Sequence, residues 1–202
     1  DIRGITNMEL VRGGTSVWYW ATDYVHGDLY EAEELFRQKN SVQSNRLYLI
    51  HYPDGMVYEP VLPVDGQYLG YPVFDGESVV LLVVNFTESA IHILRFLHQQ
   101  EKTQEVVRLP LSAVKDCYNL ILHPSPLSLT RQPNDGTFEI IWPEQIRFAI
   151  SSRETLNFRD GDKLYFSIWY EDPDYREETL VRSAQDGTIL ERFSGDIRIM
   201  PN

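Results

Sequence analysis

The chain has 202 residues and 23.5 kDa, with 43% apolar and 24% charged residues, which is long enough and apolar enough to bury a core without disulfides and too apolar for disorder. Its formal charge is −12, and its lysines number only Lys39, Lys102, Lys115 and Lys163. No window gathers Lys and Arg, and no apolar run nears the ~20 residues of a membrane-spanning helix, so neither a nucleic-acid partner nor a membrane partner is expected.

Twelve Tyr, nine Phe and four Trp favour pleated, half-buried surfaces, so the composition points to strands. In chain order the strand-like segments are 17–24, 46–52, 56–62, 67–74, 79–86 and 90–98. They continue at 104–111, 118–123, 127–132, 137–142, 145–151, 163–171, 178–184, 188–193 and 196–200. Connections of a few residues suit an antiparallel meander, because parallel neighbours need a long crossover. Only 29–37, with Leu29, Ala32 and Phe36 at helical spacing, reads as a helix. The unbroken apolar run 79–84 predicts a strand covered on both faces.

The turns repeat. Breaks between paired strands centre near residues 54, 100, 144 and 186, so successive steps run about 46, 44 and 42 residues. Asp54-Gly55 and Asp186-Gly187 read as two-residue hairpin turns with both central residues at positive φ. Asp75-Gly76 and Asp160-Gly161 each lead into a strong strand, and Gly13-Gly14 stands where the same signal belongs in the first repeat. The first interval is longer by a helix-like insertion over 27–45. Four-stranded repeats of ~43 residues are the period of propeller blades, so one all-β domain over 1–202 is expected, built as a four-bladed β-propeller-like or part-propeller meander. A β-sandwich with evenly spaced hairpins is the alternative.

Chemistry-bearing motifs are few. The chain has no Gly-x-Ser-x-Gly elbow, phosphate loop or dinucleotide fingerprint, and no cofactor is expected. Cys117 is the single cysteine, which forbids an internal disulfide and suits a reducing, cytoplasmic compartment; Asp116 beside it disfavours a reactive thiolate. No charged-then-apolar leader opens the sequence, so a signal peptide is expected to be removed or never to have existed. Asn85-Phe86-Thr87 is a lone glycosylation triplet. His92 and His98 lie on one strand, too far apart to share an ion, while His26, His51 and His123 stand beside turns, so no metal site is expected. Asp23, Asp75 and Asp160 are carboxylate candidates with nothing in their spacing to make two of them converge.

The aromatic residues carry the remaining functional reading. Alternation places Trp18, Trp20, Thr22 and Tyr24 on one strand face; Trp142 stands at a strand end, and Trp169 and Tyr170 precede Glu171 and Asp172. Trp18, Trp20, Trp142, Trp169 and Tyr170 are therefore the candidate ligand surface, open equally to a core reading. The expected function is a non-catalytic binding or assembly module with a protein or carbohydrate ligand. A carbohydrate-active hydrolase or lyase, with paired carboxylates beside an aromatic platform, is the alternative.

Overall fold

A computed structural model describes residues 5, 7–23, 27–171 and 174–197. Half of the described residues are strand and 8% are helical, in four successive antiparallel sheets of four strand positions each. Sheet 1 is β1 (Glu9–Leu10), β2 (Trp18–Thr22), β3 (Leu47–His51) and β4 (Met56–Tyr58). In sheet 2 the first position is shared by β5 (Gln67–Leu69) and β6 (Val73–Phe74). Both pair with β7 (Val79–Asn85), followed by β8 (Ala90–Leu97) and β9 (Lys102–Pro110). Sheet 3 is β10 (Leu120–Pro124), β11 (Leu127–Arg131), β12 (Thr137–Trp142) and β13 (Ile146–Ala149). Sheet 4 is β14 (Glu154–Asp160), β15 (Lys163–Tyr170), β16 (Arg176–Ser183) and β17 (Ile189–Ser194). Each sheet uses consecutive strands, whereas a sandwich of Greek-key type would exchange strands between its sheets.

The turn series in the sequence marks one recurring connection. The breaks at 52–55, 98–101, 143–145 and 184–188 all join the third strand of a sheet to its fourth. Asp75-Gly76, Asp160-Gly161 and Gly13-Gly14 all precede the second strand. The turns themselves differ from expectation. Each Asp-Gly turn is a longer loop in which the glycine N–H reaches back four residues, Gly55 to the His51 carbonyl and Gly187 to that of Ser183, both at 2.9 Å. Only the glycines have positive φ, 70° and 75°. Asp54 and Asp186 keep ordinary backbone angles because their carboxylates accept the N–H two residues on, from Met56 at 3.0 Å and Thr188 at 2.9 Å.

The chain divides into two compact units, Asp1–Tyr118 and Asn119–Asn202. In the first unit, sheets 1 and 2 share a core of Trp18, Trp20, Leu47 and Leu49 against Leu69, Val79, Leu81, Val83 and Phe96. All seven residues of β7 are buried, so the strand is covered on both faces as the apolar run requires. Asn85 ends it, itself buried, with its side-chain oxygen accepting from the Glu88 N–H, so the glycosylation triplet has its asparagine inside. In the second unit, Phe138 and Ile140 of sheet 3 meet Leu164, Phe166, Ile168 and Leu180 of sheet 4.

The insertion falls between β2 and β3 and carries α1 (Leu29–Arg37). Asp28 and Glu31 form a reciprocal capping box at its start, and Arg37 stands in its last turn. Glu33 lies on the buried side with Leu29 and Ala32. Its carboxylate accepts the Cys117 N–H at 2.6 Å and the Arg37 guanidinium at 2.7 Å, which satisfies the buried charge. Burial, with Glu33 beside it, pushes the Cys117 thiol well above the ordinary range. Two strands escaped the sequence reading, the two-residue β1 and the bulged β14. Of the expected strand over 196–200, Asp196 and Ile197 belong to no strand and the rest lies outside the described residues.

Candidate functional site

Strand β15 sorts the candidate aromatics. Leu164, Phe166 and Ile168 point into the core, and Tyr170 continues that face to its rim. Tyr165, Ser167 and Trp169 alternate onto the opposite face, where Trp169 is 41% exposed. The β15–β16 register sets Trp169 opposite Glu177 and Tyr170 opposite Arg176.

Trp169 stands in a corner of aromatic and acidic groups. Tyr175, 68% exposed, donates its hydroxyl hydrogen to the Glu177 carboxylate. That bond, with burial and the carboxylate charge, raises the phenol above its usual range, so Tyr175 stays a neutral donor. Phe193 of β17, opposite Thr179, lies on the same face, as does Tyr165 with Phe158 stacked on it at 4.3 Å. Glu171 and Asp174 are exposed between β15 and β16; Asp172 lies outside the described residues. Indole, phenol and carboxylate thus share one end of one sheet, offering a flat apolar contact ringed by acceptors.

Tyr170 itself is occupied. The Arg176 guanidinium lies 4.2 Å from its ring centroid and that of Arg153 lies 5.9 Å away. Its hydroxyl donates to Glu178 at 3.4 Å and accepts from Arg192, while Arg192 also meets Glu178 at 2.7 Å. Tyr170 therefore serves as a hub for three arginines at the core rim, and its ring faces are not a free platform.

The other candidates fall elsewhere. Trp18 and Trp20 are each 6% exposed and belong to the core of sheets 1 and 2. Trp18 packs on His51, His98, Tyr58 and Phe96, and Trp20 on Tyr71. Neither can stack on a ligand without opening that core. Trp142 is half-buried at the end of β12. Tyr24 and His26 lie outside the described residues. Of the five aromatics, Trp169 alone presents a large free surface.

A cavity of about 190 Å³ in the first unit is lined by Asp23, Gln43, Ser44, Arg46, Pro63 and Asp65. Asp23 accepts the Arg46 N–H at 2.7 Å, and the lining has no aromatic ring. Asp75 is engaged by Arg95 and by the N–H groups of Glu77 and Ser78. Tyr175 and Glu177 were missed in the sequence because they act across a hairpin; placing Glu177 opposite Trp169 needs the β15–β16 register, which no local pattern states. Compared with known proteins, the chain matches no family model and no curated protein.

Proposed function

We propose that the protein is a binding module that engages a basic polypeptide through the Trp169 corner of sheet 4. The observation that carries this reading is the pairing of an exposed indole with Glu177 across the β15–β16 register, next to exposed Tyr175. Aromatic side chains dominate interface energetics, and they do so best where a polar rim excludes water. The surrounding carboxylates of Glu171, Asp174 and Glu177, in a chain of net charge −12, select lysine- and arginine-bearing partners and speed their approach. The carbohydrate-hydrolase reading needs carboxylates and an aromatic platform on one cleft, and the cavity holding Asp23 and Asp65 has no such ring.

The test is a titration of tryptophan emission with a short peptide alternating Lys and Leu, and with a Glu-Leu peptide of equal length. The basic peptide is expected to shift the emission and to weaken about tenfold or more between 50 and 200 mM salt. Trp169→Ala is expected to remove the shift, and Glu177→Gln to weaken binding about fivefold, within the range of one lost charged contact. Equal response to both peptides, or none to the basic one, overturns the reading.

A further inference from the structure

Away from the Trp169 corner, two imidazoles meet in the first unit. His51 ends β3 and His98 follows β8, the equivalent place in the next sheet, where the third strand turns toward the fourth. Their ring centroids are 4.8 Å apart with a 35° tilt, and Trp18 lies 4.7 Å from the first and 5.1 Å from the second.

One nitrogen of each ring is held. His51 Nδ1 is 2.9 Å from Asp54 Oδ2, and His98 Nε2 is 2.9 Å from the Tyr58 hydroxyl oxygen. The Asp54 carboxylate, which also accepts the Met56 N–H at 3.0 Å, accepts from His51 Nδ1–H. The Tyr58 hydroxyl can donate to or accept from His98 Nε2, and it accepts when Nε2 carries the hydrogen. The nitrogens left for an ion are therefore Nε2 of His51 and, with the Tyr58 hydroxyl as acceptor, Nδ1 of His98. A hydrogen bond at the far nitrogen, to a carboxylate or a neutral oxygen, is how proteins aim and tune imidazoles that bind metals.

The spacing fits one ion. A metal–nitrogen bond of ~2.0–2.1 Å puts an imidazole centre about 3.2 Å from the metal, so two rings at 90° to 110° have centres about 4.5–5.2 Å apart. The observed 4.8 Å falls inside that interval. The His51 side chain is 21% exposed, which leaves a path from solvent.

We propose that His51 and His98 form a two-imidazole site for a borderline divalent transition metal ion of the Zn²⁺ or Cu²⁺ kind, with Asp54 and Tyr58 orienting the rings and water completing the coordination. Imidazole suits these ions, whereas Ca²⁺ and Mg²⁺ require oxygen ligands. Among the described residues no set of three or more His, Cys, Asp or Glu converges, so the site is an open one with two protein ligands. The histidine pair is invisible in the sequence because residues 47 positions apart reach each other only through sheet packing.

The experiment titrates the untagged protein with ZnCl₂, CuCl₂ and MgCl₂, following Trp18 emission by comparison with Trp18→Phe. One Cu²⁺ per chain should quench it, Zn²⁺ should compete, and Mg²⁺ should do neither. His51→Gln and His98→Gln should each weaken binding tenfold or more, Asp54→Asn about tenfold, and His92→Gln not at all. Because a variant can fail by unfolding, the wild-type protein is also followed by imidazole ¹⁵N NMR, where Zn²⁺ should shift Nε2 of His51 and Nδ1 of His98. No binding up to millimolar metal overturns the proposal. So does affinity unchanged in both histidine variants, or a Zn²⁺ shift confined to other histidines.

Discussion

Arg182 grips Glu154 with two hydrogen bonds, Nε to Oε2 at 2.8 Å and a terminal nitrogen to Oε1 at 2.9 Å. Both side chains are buried, at 10% and 3% exposure. The pair ties β14 to β16 across β15, and each partner also holds a turn. Glu154 accepts the Ser151 N–H at 2.9 Å, and Arg182 donates to the Gly187 carbonyl at 2.6 Å. A buried pair that is also hydrogen-bonded at its remaining atoms is costly to break on one side only. Arg182→Met should lose about 3–5 kcal/mol in urea unfolding, because Glu154 is left charged and buried. The double variant with Glu154→Leu should be less destabilised than the sum of the two single changes by more than about 1 kcal/mol. Additive losses would mean that the charges do not act as a unit.

The two Asp-Gly turns separate backbone strain from crowding. A Cβ on Gly55 meets nothing within 4 Å, whereas on Gly187 it meets Phe148 at 2.1 Å. Gly55→Ala should therefore lose only the ~1–2 kcal/mol of a left-handed alanine. Gly187→Ala adds displacement of a core-packed ring, a further ~1–3 kcal/mol. Chemical denaturation of both variants checks the difference, and equal losses would refute it.

Leu82, in the middle of β7, is 3% exposed, and its side chain lies against Gly70. Leu82→Ala should cost about 2–5 kcal/mol through lost burial and the cavity left behind. A loss below about 1 kcal/mol in urea unfolding would show that the surroundings collapse into the space.

Asp75 gives the chain an acid-sensitive turn. Burial pushes its carboxyl up, but the N–H groups of Ser78 and Glu77 together with Arg95 outweigh that and hold it below the ordinary aspartate range. A carboxyl depressed in the folded state contributes stability that is complete above its unfolded value and is lost as pH falls through the folded one. Wild-type stability should thus fall on acidification below about pH 5, and Asp75→Asn should flatten that part of the curve while lowering stability at pH 7. Parallel pH profiles for the two proteins would show that Asp75 contributes nothing to the acid limb.

The sheet count and order were legible because the connections carry their own chemistry. Asp-Gly marks the third-to-fourth connection in sheets 1 and 4, and Pro143 and the polar run 98–101 mark it in the other two, so their spacing exposes the repeat. Strand β14 stayed hidden because Leu156 and Phe158 are its only apolar residues, and the register shift between them pairs Leu156 with Phe166 but Phe158 with Tyr165 of the opposite face. The site was less legible than the fold. Alternation puts Trp18 and Trp20 on one face of β2, yet Tyr19 and Ala21 make the other face bulky too, so the pattern does not say which one meets a neighbouring sheet. Trp169 and Tyr170 look alike in sequence; one is open and the other is wrapped by Arg176 of β16, Arg192 of β17 and Arg153 from the turn before β14.

The connection between β2 and β3 spans 23–46, while the matching connection in sheet 2 is the short turn 86–89. Yet Trp18 still faces His51 and Thr22 still faces Leu47, in the same ladder a tight hairpin would have made. Strand registry in this repeat is thus decoupled from the length of that connection, whose closure penalty grows only with the logarithm of its length. The 86–89 turn is accordingly a grafting point, where a foreign segment of some twenty residues can be spliced without re-engineering the sheet that flanks it.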